Sequence, residues 1–252
     1  MRIKFDVNMR KCLTVFLTVI LLSIYNEQVI HAQENDFDRS QESELVETSM
    51  DEDSDDVENS VITNPESNLS FEDFIPYANF TNYQYQGDHV YFGAQDIIME
   101  YAPDNNGIFQ VTSFSGQEAI AYVYQIRETG FYELASFNDY YVVEDLRYSP
   151  EASDNSESLV LSSDLSIGSS FSSGYNNENR RTVSEVINSY AVGGQTFNDV
   201  LRIEEQAQDE SGPVTYNYYF APTVGIIVVE RTGTDGTTQR VLQLISAQGS
   251  IN

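Results

Sequence analysis

The side chains that could do chemistry in this sequence are almost all carboxylates. There are 40 Asp and Glu against 12 Lys and Arg, 2 His and a single cysteine, Cys12. A glycosidase-type mechanism needs two carboxylates a fixed distance apart in a cleft, usually beside aromatic platforms. Glu204 or Glu205 with Glu144 or Asp145 are candidates for such a pair. With 25 acids after Leu69, however, pairs of this kind arise by chance. His31 falls in the N-terminal leader, so a Ser-His-Asp triad would have to use His89, which sits in the turn-like Gly87-Asp88-His89-Val90 and reads as a solvated loop residue. No G-x-S-x-G elbow is present, and the nearest stretch is Gly168-Ser169-Ser170-Phe171. A catalytic zinc needs three or four ligands, which one histidine does not readily supply. The acidic run Asp51-Glu52-Asp53-Ser54-Asp55-Asp56 fails as an EF-hand loop, because Asp56 and Ile62 stand where Gly and Glu are required. No phosphate loop or dinucleotide fingerprint occurs. The residues therefore assign no catalytic, metal or cofactor position.

The aromatic load is the positive feature. Of 17 Tyr and 14 Phe, 28 lie beyond residue 32. Tyrosine packs well in sheets with its hydroxyl at the rim, so core and cross-strand pairing is the principal reading. A Tyr-lined face for glycan, peptide or an apolar ligand is the sharper one.

Targeting and composition divide the chain before these residues are positioned. Arg2, Lys4, Arg10 and Lys11 precede the 14-residue apolar run Cys12–Tyr25, followed by Ala32. That run is short against the roughly 20 residues of a membrane span and fits a secretory signal peptide over 1–32. Cys12 lies at the start of the run behind Lys11, which disfavours lipid anchoring. The membrane is then met only through the transient signal. Beyond residue 32 the chain has 8 Arg, no Lys, no Cys and 38 acids, a net charge of −30. This excludes a disulfide scaffold, cysteine nucleophiles and Schiff-base lysines, and it argues against nucleic acid, whose phosphates need a basic face. Residues 33–68 carry 13 acids and one Arg with few large apolar side chains. Such a segment cannot offset its chain entropy by burial and is expected to be a disordered acidic spacer.

From Leu69 to Asn252 short alternating runs are separated by Gly, Pro and Asp-Gly signals. They predict strands at Phe80–Gln86, Ala94–Ala102, Ile108–Ser115, Glu118–Arg127, Phe131–Phe137, Ser158–Ser162, Ser169–Ser173, Arg181–Tyr190, Thr196–Gln206, Val214–Phe220, Gly225–Arg231 and Gln239–Ala247. Tyr122, Tyr124 and Ile126 should share one face, as should Tyr216, Tyr218 and Phe220, and Phe197, Leu201 and Ile203. Ile226–Val229 is apolar on both faces and should be the central, most buried strand. Phe137–Leu146 is the best helix candidate, and Ser149–Ser158 reads as a polar loop. Tyr101-Ala102-Pro103 with Gly107 echoes Phe220-Ala221-Pro222 with Gly225, which suggests duplicated halves at about 71–148 and 159–247.

Tyr218–Ile227, YYFAPTVGII, resembles the Y-Y-A-P-G-V-G-L-V signature of a family of mostly uncharacterised exported proteins of Gram-positive bacteria (Firmicutes), some of them lipoproteins. Phe74-Ile75-Pro76 with Phe80–Gly87, Leu165–Phe171 and Gly194–Leu201 resemble further family segments in the same order, so the likeness spans about 71–247. Thr223, Phe171 and Asp164 depart from the family's Gly, Trp and Pro. The resemblance implies an antiparallel β domain at the cell envelope and no particular reaction.

The expectation is therefore an all-β protein, with a single antiparallel β domain (curved sheet, sandwich or half-barrel) behind a disordered N-terminal region. It is exported to the cell surface or medium and is a non-catalytic binding module for an envelope component, glycan, peptide or apolar ligand. The alternatives are a carboxylate-based glycan hydrolase and a carrier of an apolar ligand in a curved sheet.

Overall fold

The computed structural model describes residues 69–251 apart from 89, 155, 210 and 211. The expected signal peptide, the acidic spacer, the Asp51 run and His89 lie outside the described residues.

All twelve expected strands form: β1 (Phe80–Gly87), β2 (Gln95–Tyr101), β3 (Ile108–Ser115), β4 (Glu118–Arg127), β5 (Gly130–Phe137), β6 (Ser158–Ser162), β7 (Ser170–Ser173), β8 (Asn179–Val192), β9 (Gln195–Asp209), β10 (Gly212–Ala221), β11 (Gly225–Thr232) and β12 (Thr238–Ser250). They make one antiparallel sheet in the order β6-β5-β4-β3-β2-β1-β12-β11-β10-β9-β8-β7. Each run of six is a simple meander, with most connections short and Gly-containing and β5 joined to β6 by the long segment 138–157. The β1–β12 ladder, from Phe80 opposite Ser250 to Gly87 opposite Leu242, joins the two.

The sheet curls into a nearly closed barrel. Its two end strands, β6 and β7, meet through side chains. Arg181 Nη1 donates to the Val160 carbonyl at 2.5 Å, the Gly174 N–H donates to Ser158 Oγ at 2.8 Å, and the hydroxyls of Ser158 and Ser173 lie 3.5 Å apart. Alternation and register fix the inward face. Tyr83, Tyr85, Phe109, Phe131, Leu161, Val183, Leu201, Ile203, Phe220 and Ile227 point inward, and each is at most 3% exposed. The rings of Phe109, Phe131 and Tyr124 pack within 6 Å of one another. This half of the interior is filled.

One end is plugged by the segment before β1. A short 3₁₀ turn, Phe71–Phe74, buries both of its Phe rings. Tyr77, at φ 65°, drops its ring between Tyr83 and Tyr124. Both faces of the sheet are covered in places. The 138–149 segment lies on the outer face of β3 and β4, with the Tyr140 N–H donating to the Ala119 carbonyl and Tyr140 packing on Ala119 and Ala121. The long β8–β9 hairpin reaches β12, where Gln195 Nε2 donates to the Ile245 carbonyl.

Some expectations are corrected. Phe137–Leu146 is not a helix. Asp139 adopts φ 57°, and the chain runs in bends so that Tyr140 and Leu146 reach the outer face of the sheet. A 3₁₀ turn, Glu151–Ser153, interrupts the polar loop. Ile226–Val229 is buried as expected, but β1 and β12 hold the middle of the strand order. Asp199, at φ 54°, kinks β9 between Phe197 and the fully buried Leu201. The two Ala-Pro corners connect β2 to β3 and β10 to β11, the second connection of one meander and the fourth of the other.

Candidate functional site: the polar half of the barrel interior

The carboxylates considered for a hydrolytic pair are not brought together. Glu205 points into the barrel from β9, beside Tyr216 of β10 in the register. Glu204, its neighbour along the strand, points to the other face. Glu144 lies on the outer covering segment, where its carbonyl accepts from Gln110 Nε2 and its N–H donates to the Tyr140 hydroxyl. Asp145 is tied to Arg147 at 2.8 Å. The sheet stands between Glu205 and either of these. Gly168-Ser169-Ser170-Phe171 forms the approach to β7, with the Gly168 N–H donating to the Val183 carbonyl. It has none of the strand-to-helix geometry of a nucleophile elbow.

A different constellation occupies the interior, toward the end formed by the β7–β8 and β9–β10 turns. Glu133 points inward from β5, opposite Tyr124 of β4. The Tyr175 hydroxyl, on the β7–β8 turn, donates to Glu133 Oε1 at 2.6 Å. Arg181 of β8 donates from Nε to Glu205 Oε2 at 2.5 Å, and its guanidinium lies 4.6 Å from the ring centre of Tyr218. The Tyr218 hydroxyl approaches Glu205 Oε1 at 3.4 Å. Tyr216 continues this wall and meets Phe92 of the β1–β2 connection edge-on.

Electrostatics divide the two carboxylates. Burial is the largest influence on Glu133 and raises its pKa, against the hydroxyls of Tyr175 and Tyr124 and the charge of Arg181. Glu205 instead has a cation in contact. Burial works to lower the Arg181 pKa, but Glu205 and Tyr218 more than offset it and keep the guanidinium charged. Burial likewise raises the phenols of Tyr122, Tyr124, Tyr175 and Tyr218, with neighbouring acids adding to it. All four are neutral donors and acceptors at ordinary pH.

Solvent access separates this half from the filled one. Tyr122, Glu133, Tyr175, Tyr216 and Tyr218 lie on the inward face or at its rim, yet each is only half-buried. Partial solvent contact on the inward face means that this end of the interior is not closed over as the other is. Among the described residues, no group of three or more His, Cys, Asp or Glu is placed to hold a metal. About half of the described tyrosines thus face the interior. Tyr91, Tyr141 and Tyr148 are the exposed ones among the described residues.

Glu133, Tyr175 and Arg181 were not legible as site residues. The available signal was parity. Glu133 is two residues from Phe131, Arg181 two from Val183, and Glu205 two from Ile203, each a charge in a row of core positions.

No family model matches the chain, and no curated protein matches it. Two solved structures are similar. One is a protein of Bacteroides fragilis described as exported and with a YmcC-like fold, at TM-score 0.37 and 10% identity, covering 71% of this chain and 99% of the other. The second is a protein of Parabacteroides distasonis described as a lipoprotein, at TM-score 0.33 and 8% identity, covering 71% and 98%. At these TM-scores neither likeness bears on what the chain does.

Proposed function

We propose that this is an exported, non-catalytic binding protein of the cell envelope or medium, and that its ligand enters the polar half of the barrel. Export rests on the basic-apolar-Ala32 pattern of residues 1–32, and the resemblance of the YYFAPTVGII segment supports it. The observation that carries the binding reading is the set of inward-facing groups that keep partial solvent contact, Tyr122, Glu133, Tyr175, Tyr216 and Tyr218. Recesses with a few convergent polar groups among aromatic walls are the usual form of a ligand site.

A hydrolase is supported less well. Glu133 and Glu205 sit in contrasting environments, as an acid and a base should. However, Glu205 is 4% exposed and both of its oxygens are engaged, by Arg181 and Tyr218, so the carboxylate is held away from solvent and from any substrate that enters with it. A carrier of an apolar ligand would have to leave phenols and a carboxyl desolvated, at about 1–3 kcal/mol each.

The test is native mass spectrometry of protein secreted by its producing cells. The expected result is a chain starting near Gln33 with a non-covalent adduct that Tyr216→Ala loses. An intact Met1 start would sink export. An adduct held equally by wild type and Tyr216→Ala, or none in either, would sink the recess.

A further inference from the structure

We infer that the recess takes an uncharged, hydroxyl-rich ligand of the saccharide class, a conclusion that rests on the recess being a binding site at all. The charges around it are already matched. Arg181 is held by Glu205, and Arg231, at the outer end of the same wall, is held by Asp209 at 2.6 Å with the Tyr91 ring 4.1 Å away. Among the described residues these two guanidinium groups are engaged within the protein rather than offered to a phosphate or carboxylate ligand, which would also meet Glu133. Anions are therefore disfavoured.

The remaining groups are phenols and one carboxyl. Tyr122 and Tyr216 bring hydroxyls that can donate and accept, while those of Tyr175 and Tyr218 donate to Glu133 and Glu205 and are left as acceptors, each next to an apolar ring. Tyr122 and Tyr124 stack with interplanar angle 15° and centroids 6.0 Å apart, while Tyr216 and Tyr218 lie 6.4 Å apart. Alternating hydroxyls and ring surfaces match a pyranose, which presents hydroxyls at its edge and C–H groups on its faces. A fully apolar ligand would strand the hydroxyls. One mode of peptide capture adds a strand to an open sheet edge. The backbone groups of β4, β5, β9 and β10, which carry Tyr122, Glu133, Tyr216 and Tyr218, are spent in ladders on both sides, and the sheet's unpaired edges lie at β6 and β7.

The experiment is side-chain NMR of the secreted full-length protein with ring-labelled tyrosine. The probes are neutral hexaoses (maltohexaose, cellohexaose, laminarihexaose and chitohexaose), a hexagalacturonate, tetra-alanine and N-phenyl-1-naphthylamine. We expect at least one neutral hexaose to shift the rings of Tyr122, Tyr175 and Tyr216 and to leave Tyr141 and Tyr148 unmoved. Tyr216→Ala should weaken that hexaose at least tenfold, and Tyr141→Ala should not change it. The wild-type shifts decide the site even if Tyr216→Ala folds poorly. If only tetra-alanine or the naphthylamine moves the inward rings, the saccharide class falls and the recess stands. Preference for hexagalacturonate over every neutral hexaose also overturns the class. If no probe moves the inward rings, or a hexaose moves only Tyr141 and Tyr148, the inference and the recess fall together.

Discussion

A Cβ on Gly225 would stand 2.3 Å from the Cα of Pro76, closer than any carbon pair tolerates. Gly225 also has φ 82°. The corner between β10 and β11 thus presses its backbone directly onto the segment that plugs the barrel. Gly225→Val should cost roughly 1–2 kcal/mol from the left-handed conformation and about 1–3 kcal/mol more from overpacking. Urea unfolding should show a midpoint lowered accordingly. A midpoint equal to wild type would mean that the plug is not packed there.

Thr223, in the same corner, is a β-branched residue at φ 67°. Its N–H donates to the Asp73 carbonyl at 2.6 Å, and its carbonyl accepts from Asn79 Nδ2 at 2.8 Å, so the backbone is held from both sides. Thr223→Gly keeps both bonds and removes the steric strain. It should raise stability by about 1 kcal/mol, net of the added freedom of the unfolded chain. The check is a higher urea midpoint at unchanged m-value, and a lower midpoint would count against the strain.

Glu133 has a folded-state pKa raised by burial. Between its unfolded pKa, about 4.3, and the higher folded value, the native state binds more protons than the unfolded state. Stability from this site therefore falls as pH rises through that window and levels off above it, by about 1.4 kcal/mol per unit of elevation. Glu133→Gln can still accept from Tyr175 and has no charge to bury. It should be more stable than wild type at pH 7 and differ least near pH 4. Urea midpoints across pH 4–8 test this, and parallel curves for the two proteins would refute it.

Arg181 and Glu205 form a buried pair, at 9% and 4% exposure. Arg181→Met strands the carboxylate and should cost about 3–5 kcal/mol, whereas Arg181→Met with Glu205→Leu should recover most of the loss. Thermal denaturation of the three proteins decides it. A double variant no better than the single one would show that the guanidinium's contacts to Val160 and Tyr218, rather than charge pairing, hold this wall together.

Twelve strands, their approximate ends and most of their turns could be read from residue order alone. Alternation such as Tyr122-x-Tyr124 and reversals such as Gly193-Gly194 are local, and most hairpins close over a few residues. The β1–β12 ladder is not local. It joins Phe80 to Ser250, and no turn chemistry connects them. Which face is the inside was equally hidden. Outer-face residues such as Ala119, Ala121 and the fully buried Gln110 are covered by the 138–149 segment, so apolar positions occur on both faces. Glu133, Arg181 and Glu205 read as isolated charges until closure set them on one interior wall. The separation of Glu205 from Glu144 by the sheet, and the seating of Tyr77 and Pro76 against the barrel end, likewise depend on curvature summed over twelve strands, which only the tertiary structure decides.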